Sequence, residues 1–246
     1  MSAEIWFSRL TLKRDDAAIA PLLQELAPAD AGAAMTTGHR LMWSVMPPET
    51  RALYDRARAD RREGAAFLWR EAEAGRKFYL LGPRPVESSP FFRIESKPYT
   101  PDFEPCDRLA FELRANATVA RKNNADAAGR SRRSDVAMDR LRAEEAAAGA
   151  DVALRAERRL KAAESAAADW LRRIGERDGF ALSAMRLEAY RVESLPRRGR
   201  DAKIGVFDLR GALEVVEAER FRARVLAGFG RAKAFGCGLM LLRRLS

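Results

Sequence analysis

Cysteine and histidine, the side chains that most often hold structural metals in proteins, are scarce in this chain. Among its 246 residues there are two cysteines, Cys106 and Cys237, in no Cys-x-x-Cys spacing, and one histidine, His39. A structural zinc site needs about four such ligands, and a two-metal catalytic centre needs clustered ligands rather than scattered carboxylates. The sequence therefore predicts a protein that binds no metal and needs no cofactor.

Long apolar runs are also missing. No stretch approaches the roughly 20 apolar residues of a membrane-spanning helix. The first residues, MSAEIWFSRLTLKR, lack the basic region and apolar run of a secretory signal. We therefore expect a cytoplasmic protein that has reduced cysteines and no membrane partner.

Lysine is rare beside arginine. Of the 45 Lys and Arg residues only seven are Lys, and against 35 acidic residues the formal net charge is +10. A GC-rich coding bias accounts for most of the Arg-to-Lys ratio but leaves the excess of cations unexplained. Because a guanidinium group can bind phosphate through two hydrogen bonds, this excess favours a polyanionic partner such as nucleic acid or an acidic lipid surface.

The length and the proline distribution predict two domains, residues 1–100 and 101–246. Six of the eleven prolines lie between residues 82 and 105, which we interpret as an extended connection. Apolar patterning in the N-terminal domain predicts three strands and two helices, and the second helix carries His39. These elements are strands at 5–12, 67–69 and 78–81, and helices at 15–26 and 33–45.

The C-terminal domain shows a clearer order of strand, helix, strand, strand, helix and strand. The predicted elements are a strand at 109–119, an exposed basic loop at 121–133, a long helix or helix pair at 135–173 broken near 149 and including an insertion at about 140–165, strands at 180–192 and 204–216, a helix at 217–227 and a strand at 237–242. This order predicts an α+β protein of two tandem ferredoxin-like (RRM-like) domains. In that arrangement helices cover one face of an antiparallel sheet and leave the other available.

Four glycines fall within eleven residues near the C-terminus, in the glycine segment GFGRAKAFGCG at 228–238. The segment has no GK[ST] and so is not a Walker A loop, and it follows a helix with too few residues left for a dinucleotide-binding unit. Two interpretations stay open. The glycines serve a tight helix-to-strand turn, or successive backbone N–H groups bind phosphate with help from Arg231 and Lys233.

Four motifs span nearly the whole chain in order. They are GHRLMWSVM at 38–46, FELRANATVARK at 111–122, ADWLRRIGERDGF at 168–180 and GFGRAKAFGCGLMLLRR at 228–244. Together they resemble the CasE family, the endoribonucleases that process CRISPR precursor RNA in type I-E systems. That family has two ferredoxin-like domains, in agreement with the fold predicted above from patterning.

The resemblance implies binding of the CRISPR repeat stem-loop, in precursor and mature CRISPR RNA, and association with other subunits of a Cascade-type complex. It also implies cleavage without a metal, in which a ribose 2′-OH attacks the adjacent phosphate and leaves a cyclic phosphate and a 5′-OH. His39 is the candidate catalytic residue, because imidazole exchanges protons near neutral pH. It serves as general acid or as general base, and Thr36, Ser44 and Lys233 are weaker candidates for the other role. Thr36 stands where the family has a tyrosine.

The candidate RNA-binding residues are basic or belong to the glycine segment. They are Arg40, Arg114, Lys122, Arg130, Arg132, Arg133, Gly228, Gly230, Arg231, Lys233, Gly236 and Gly238. Contacts to phosphate are expected to dominate, because the major groove of A-form RNA is too deep and narrow for side chains to read. A non-catalytic RNA-binding subunit of a ribonucleoprotein is the alternative function, and the net charge disfavours a small-molecule enzyme.

Overall fold

The structure is a computed structural model that describes residues 4–13, 31–59, 65–122, 131–148, 155–197 and 200–245. The chain divides into two compact units. The first unit comprises Met1–Asp102, Glu193–Lys203 and Val225–Leu239, and the second Phe103–Val192, Ile204–Arg224 and Met240–Ser246. The glycine segment therefore belongs to the first unit, although it lies near the C-terminus of the chain.

The first unit is built on a four-stranded antiparallel sheet in the order β2-β3-β1-β4. Its strands are β1 (Trp6–Leu12), β2 (Leu68–Ala72), β3 (Lys77–Gly82) and β4 (Phe92–Pro98), and its helices are α1 (Ala31–Trp43) and α2 (Pro48–Ala59). In β1, Ser8 and Leu10 are buried while Arg9 is exposed. This alternation gives the sheet one covered face and one open face.

Helix α1 packs on the covered face of this sheet. Leu41 and Met42 of α1 belong to one apolar cluster with Leu10 of β1, Trp69 of β2 and Phe92 of β4. Such a cluster is the main source of stability for a sheet that is covered on one side only, because the apolar area removed from water is large. The helix that carries His39 is thus fixed by the core of its own unit.

The predicted strands at 5–12, 67–69 and 78–81 and the helix at 33–45 are confirmed, with ends shifted by a few residues. The predicted helix at 15–26 lies outside the described residues. The interpretation of 82–105 as an extended connection is wrong in part, because it contains β4. The prolines of this region flank the strand or end it at Pro98, and β4 is an edge strand, where a missing N–H costs little.

Helix α2 was not predicted. Pro48 occupies its first position, where the absent N–H would have no partner inside the helix. Between β3 and β4 only the nine residues 83–91 intervene, and they contain no helix. The first unit therefore keeps the strand order of a ferredoxin-like sheet but departs from the regular alternation of helices.

The second unit has a four-stranded antiparallel sheet in the order β10-β5-β9-β8 and a separate two-stranded hairpin, β6-β7. Its elements are β5 (Arg108–Ala115), β6 (Thr118–Lys122), β7 (Ser131–Asp135), α3 (Val136–Ala148), α4 (Arg155–Asp178), β8 (Phe180–Arg197), β9 (Arg200–Val215), α5 (Ala218–Ala227) and β10 (Met240–Arg244). The C-terminal end of β8, the N-terminal end of β9 and the last turn of α5 belong to the first unit.

The pattern of apolar residues correctly predicts most helices and strands of the second unit. Leu109, Phe111, Leu113 and Ala115 of β5 are all buried, as their alternation indicates. The helix pair, the two long strands and the last helix are confirmed, and the break near 149 lies outside the described residues. The two sheets confirm the predicted α+β class with two ferredoxin-like domains.

Three boundaries in the second unit differ from prediction. The strand expected at 109–119 is two strands, β5 and β6, separated at Asn116, whose buried side chain donates a hydrogen bond to the Gly205 carbonyl at 2.8 Å. The region 121–133, expected as a loop, begins and ends in the paired strands β6 and β7. The final strand begins at Met240 rather than 237, because Gly238 has a positive φ that a strand does not accommodate.

Asp135 caps α3 and provides a test of this unit. Its Oδ1 accepts hydrogen bonds from the N–H groups of Ala137 (2.9 Å) and Met138 (3.1 Å) and from the Tyr190 hydroxyl (3.0 Å). Asp135→Ala is expected to lower the free energy of unfolding by about 1–2 kcal/mol, because the first turn loses its acceptor. Asp135→Asn keeps an acceptor oxygen and is expected to cost less.

The stability of wild type relative to Asp135→Asn also reports the protonation of Asp135. Burial raises the pKa of this carboxyl above its ordinary value, so the folded state takes up a proton more readily than the unfolded state. As the pH falls from 7 towards 4, wild type should therefore gain stability relative to Asp135→Asn. Urea denaturation at both pH values measures the difference, and parallel pH curves would contradict the assignment.

Candidate active site and nucleic-acid interface

His39 lies on α1 with one ring nitrogen engaged and the other enclosed. The indole N–H of Trp43, one helical turn later, donates a hydrogen bond to Nε2 at 3.1 Å. Nδ1 is buried and has no hydrogen-bond partner among the described residues. The ring also contacts Phe67, at 6.3 Å between centroids. The imidazole is therefore held between two aromatic side chains.

The surroundings of His39 favour its uncharged form. Burial lowers the pKa of His39 below 6.5, and the positive charge of Arg51 lowers it further. Arg51 projects from α2, and its guanidinium lies over the Trp43 ring at 5.1 Å from the centroid. At neutral pH the structure thus holds a neutral imidazole close to a fixed cation.

The glycine segment lies against the helix that carries His39. Its short 3₁₀ turn, Lys233–Phe235, contacts both α1 and β2. The Trp69 ring separates the two: a Cβ atom on Gly38 would lie 2.5 Å from Cη2 of Trp69, and one on Gly236 would lie 3.2 Å from it. Glycine at both positions lets the indole fit between the helix and the segment.

The four glycines of the segment form a closed turn. Gly228, Gly230, Gly236 and Gly238 all have φ between 72° and 96°. The Phe229 N–H donates to the Gly238 carbonyl at 2.9 Å and closes the loop. Inside it, the Phe235 N–H donates to the Ala232 carbonyl and the Gly236 N–H to the Lys233 carbonyl. These contacts favour a tight helix-to-strand turn over a backbone phosphate cradle, with Arg231 exposed at its surface.

Four of the basic residues at 121–133 belong to the paired strands β6 and β7: Arg121, Lys122, Arg132 and Arg133. Lys122 pairs with Ser131, and Arg132 stands opposite Arg121 in the register of the two strands. Arg133 is exposed. The side chains of Lys122 and Arg132, and Arg130 altogether, lie outside what the structure describes. The register brings Arg121, Lys122 and Arg132 together at one end of the paired strands.

Arg40 and Arg114, two further candidate RNA-binding residues, differ in their contacts. Arg40 is exposed on α1, directly after His39. Arg114 is instead bound to Asp208, with Nε 2.8 Å from Oδ1, and Arg191 also donates to that carboxylate at 2.6 Å. These bonds lower the pKa of Asp208 despite its burial. The geometry of Arg114 therefore favours a stabilising role.

Of the weaker candidates for the second proton transfer, Ser44 is engaged, since its hydroxyl donates to the Leu41 carbonyl at 2.7 Å. Thr36 lies on α1, one turn before His39. Sequence reasoning missed Trp43 and Arg51. The i, i+4 spacing from His39 could have identified Trp43, whereas Arg51 belongs to α2, the helix that was not predicted.

No three His, Cys, Asp or Glu side chains cluster as metal ligands in the described ranges. None of the helices described there is long and apolar enough to cross a membrane.

The two sheets define a protein with tandem ferredoxin-like folds, and solved structures of that class resemble it over nearly its full length. Thermus thermophilus Cse3, bound to an RNA representing a pre-cleavage complex, has 22% identity and a TM-score of 0.60, covering 98% of this chain and 99% of that one. Cas6e from Escherichia coli str. K-12 has 18% identity and a TM-score of 0.58, covering 98% and 100%. A chain of a CRISPR RNA-guided surveillance complex has 14% identity and a TM-score of 0.55, with the same coverage.

The sequence itself identifies the family. A model of the family described as CRISPR associated protein matches residues 5–244, and the chain belongs to that family. This confirms the resemblance predicted from the four motifs. No curated protein matches the sequence.

The contact between Gly38 and Trp69 provides a test of how α1 is seated. Exchange of a helical glycine for alanine usually stabilises a helix by about 1 kcal/mol. Gly38→Ala should instead destabilise the protein by about 1–3 kcal/mol, because the new methyl group meets a buried ring. Urea denaturation measures the effect.

The matched control is Gly38→Ala combined with Trp69→Phe. The smaller ring leaves room for the methyl group, so Gly38→Ala should cost less in the Trp69→Phe background than in wild type. Equal costs in the two backgrounds would show that the methyl group does not meet the ring.

Proposed function

We propose that this protein is an endoribonuclease that cleaves precursor CRISPR RNA beside the stem-loop of the repeat, without a metal ion. The observation that carries the proposal is the only histidine of the chain, which lies half-buried on α1 within a family-typical His-Arg motif and next to the glycine segment. Family membership and the fold shared with RNA-bound Cse3 support it.

The chemistry needs one base, one acid and nearby positive charge. The ribose 2′-OH loses a proton and attacks phosphorus, the bond from phosphorus to the 5′-oxygen breaks, and that oxygen gains a proton. His39 performs one of these proton transfers. Arg40, the next residue on α1, and Arg51 on α2 supply charge that would stabilise the pentacoordinate phosphate.

Binding of the stem-loop is proposed to depend on arginine contacts to phosphate. The β6-β7 hairpin carries Arg133 on its surface and has Arg121, Lys122 and Arg132 at one end of its paired strands, and Arg231 is exposed on the glycine segment. Such contacts give affinity with little sequence readout, so the repeat would be recognised by shape and by unpaired bases. We propose that the protein works in the cytoplasm and docks with other subunits of a Cascade-type complex.

His39→Ala is expected to abolish cleavage of a repeat hairpin from the protein's own CRISPR locus, while the dissociation constant for that hairpin changes less than about threefold. The reason is that the imidazole moves a proton but contributes little to phosphate binding. Single-turnover cleavage and a binding assay on the same RNA measure the two quantities. A His39→Ala variant with wild-type cleavage would overturn the catalytic assignment.

A non-catalytic RNA-binding subunit is the second candidate, and one observation favours it. Nε2 of His39 is occupied by Trp43 and Nδ1 is buried, so neither nitrogen faces solvent freely. Incubation of wild type with the repeat hairpin in EDTA separates the two candidates. Site-specific cutting supports the enzyme, whereas retention of intact RNA supports the binding subunit.

Arg133→Glu is expected to weaken binding of the hairpin about tenfold and to reduce the slope of log affinity against log salt by about 0.9, the value for one lost phosphate contact. The matched control is Arg142→Glu, which changes the net charge equally at an exposed position of α3 in the same unit. Measurement of the dissociation constant at several salt concentrations between roughly 50 and 300 mM gives both slopes, since screening of the charges increases over this range. Identical slopes for the two variants would remove the β6-β7 hairpin from the interface.

A further inference from the structure

The hydrogen bond from Trp43 fixes the chemical state of His39. An indole N–H can only donate, so Nε2 must present a lone pair to it at 3.1 Å. The neutral ring therefore carries its proton on Nδ1. An imidazolium ring has N–H groups at both nitrogens and cannot accept this bond, so the contact selects the neutral form.

Trp43 is itself held independently of His39. Its ring packs edge-to-face on Phe67 at 5.0 Å between centroids and contacts Tyr54 at 5.3 Å. The guanidinium of Arg51 lies over the same ring. Because these contacts come from α2 and from the segment before β2, the direction of the indole N–H is set before any substrate arrives.

Besides burial, the positive charge of Arg51 lowers the pKa of His39, and the other charged or titratable groups on the described elements packed around it include no acid in contact with the ring. The basic and phenolic groups on these elements are Arg40 on its own helix, Arg51 and Tyr54 on α2, and Lys233 on the 3₁₀ turn that contacts α1. The acids of α2, Glu49 and Asp55, are exposed. No carboxylate of the described residues forms an ion pair with the imidazole, so nothing there offsets the effect of Trp43.

We propose that Trp43 is a positioning residue that holds His39 as a neutral imidazole with Nε2 as its basic atom, and that His39 is the general base. This inference rests on the proposed function. In the reaction the 2′-OH replaces the indole N–H as the partner of Nε2 and gives its proton to that nitrogen. The bond from O2′ to phosphorus forms, the bond from phosphorus to the 5′-oxygen breaks, and the leaving oxygen takes a proton from water.

The single histidine makes a direct test possible, because His39 gives the only imidazole signals in an NMR spectrum of the full chain. In wild type the ¹⁵N shifts should show the proton on Nδ1, and the ring should titrate below 6.5. Trp43→Phe keeps the ring contacts and removes the N–H donor that selects the neutral form, so the His39 pKa should rise, although burial and Arg51 still hold it below its ordinary value. Trp6→Phe is the matched control, since Trp6 also lies under an arginine, Arg84, but far along the sequence from α1.

Kinetics on the repeat hairpin test the base assignment. The acid limb of kcat against pH should follow the His39 pKa measured by NMR in each protein. Trp43→Phe should move that limb upward and lower kcat at pH 7 about tenfold, the effect of one lost positioning hydrogen bond, with little change in KM. Trp6→Phe should match wild type in both.

The outcomes separate this inference from the proposed function. Unchanged His39 shifts and pKa in Trp43→Phe, or a proton on Nε2 in wild type, would overturn the positioning role whether or not the protein cleaves RNA. The wild-type shifts decide the tautomer even if the variant does not fold. If the acid limb of kcat against pH does not follow the His39 pKa measured by NMR, the role of general base is overturned. Cleavage by His39→Ala would overturn the proposed function itself.

Discussion

The Trp69 indole is enclosed by glycines that are almost two hundred residues apart in sequence. Gly38 on α1 and Gly236 in the glycine segment both lack the side chain that would collide with this ring. Trp69 also belongs to the apolar cluster that fixes α1 on the sheet. The position of the helix that carries His39 and the position of the segment therefore depend on the same buried ring, because a close-packed core leaves no room for independent shifts.

This packing indicates that the four glycines of the glycine segment have a structural role. Its glycines adopt left-handed backbone conformations, and several of its N–H groups are satisfied by carbonyls of the same turn. Backbone groups engaged in this way are not available to a ligand. The Arg231 side chain is exposed at the surface of the segment, while the backbone of its 3₁₀ turn packs against α1 and β2.

The arginines of this protein fall into two groups according to their contacts. Some guanidinium groups neutralise buried or half-buried carboxylates, as Arg114 and Arg191 do at Asp208 and Arg224 does at Asp178, with Nε 2.5 Å from the carboxylate oxygen. Others, such as Arg133, are exposed without an acidic partner in the described part of the chain. Net charge alone does not distinguish the two groups, because the difference lies in where each acid is placed by the fold.

The sequence by itself determined the features that depend on neighbouring residues. Alternation from Leu109 to Ala115 identified β5 and its buried face, and the four ordered motifs identified the family. Tertiary structure alone decided that β4 forms among the prolines, that the glycine segment joins the first unit, and that Arg51 of α2 stands near His39. Local patterns report backbone preference and the face that a residue presents, whereas these features depend on which distant surfaces pack together, and a pattern of one segment carries no information on its partner.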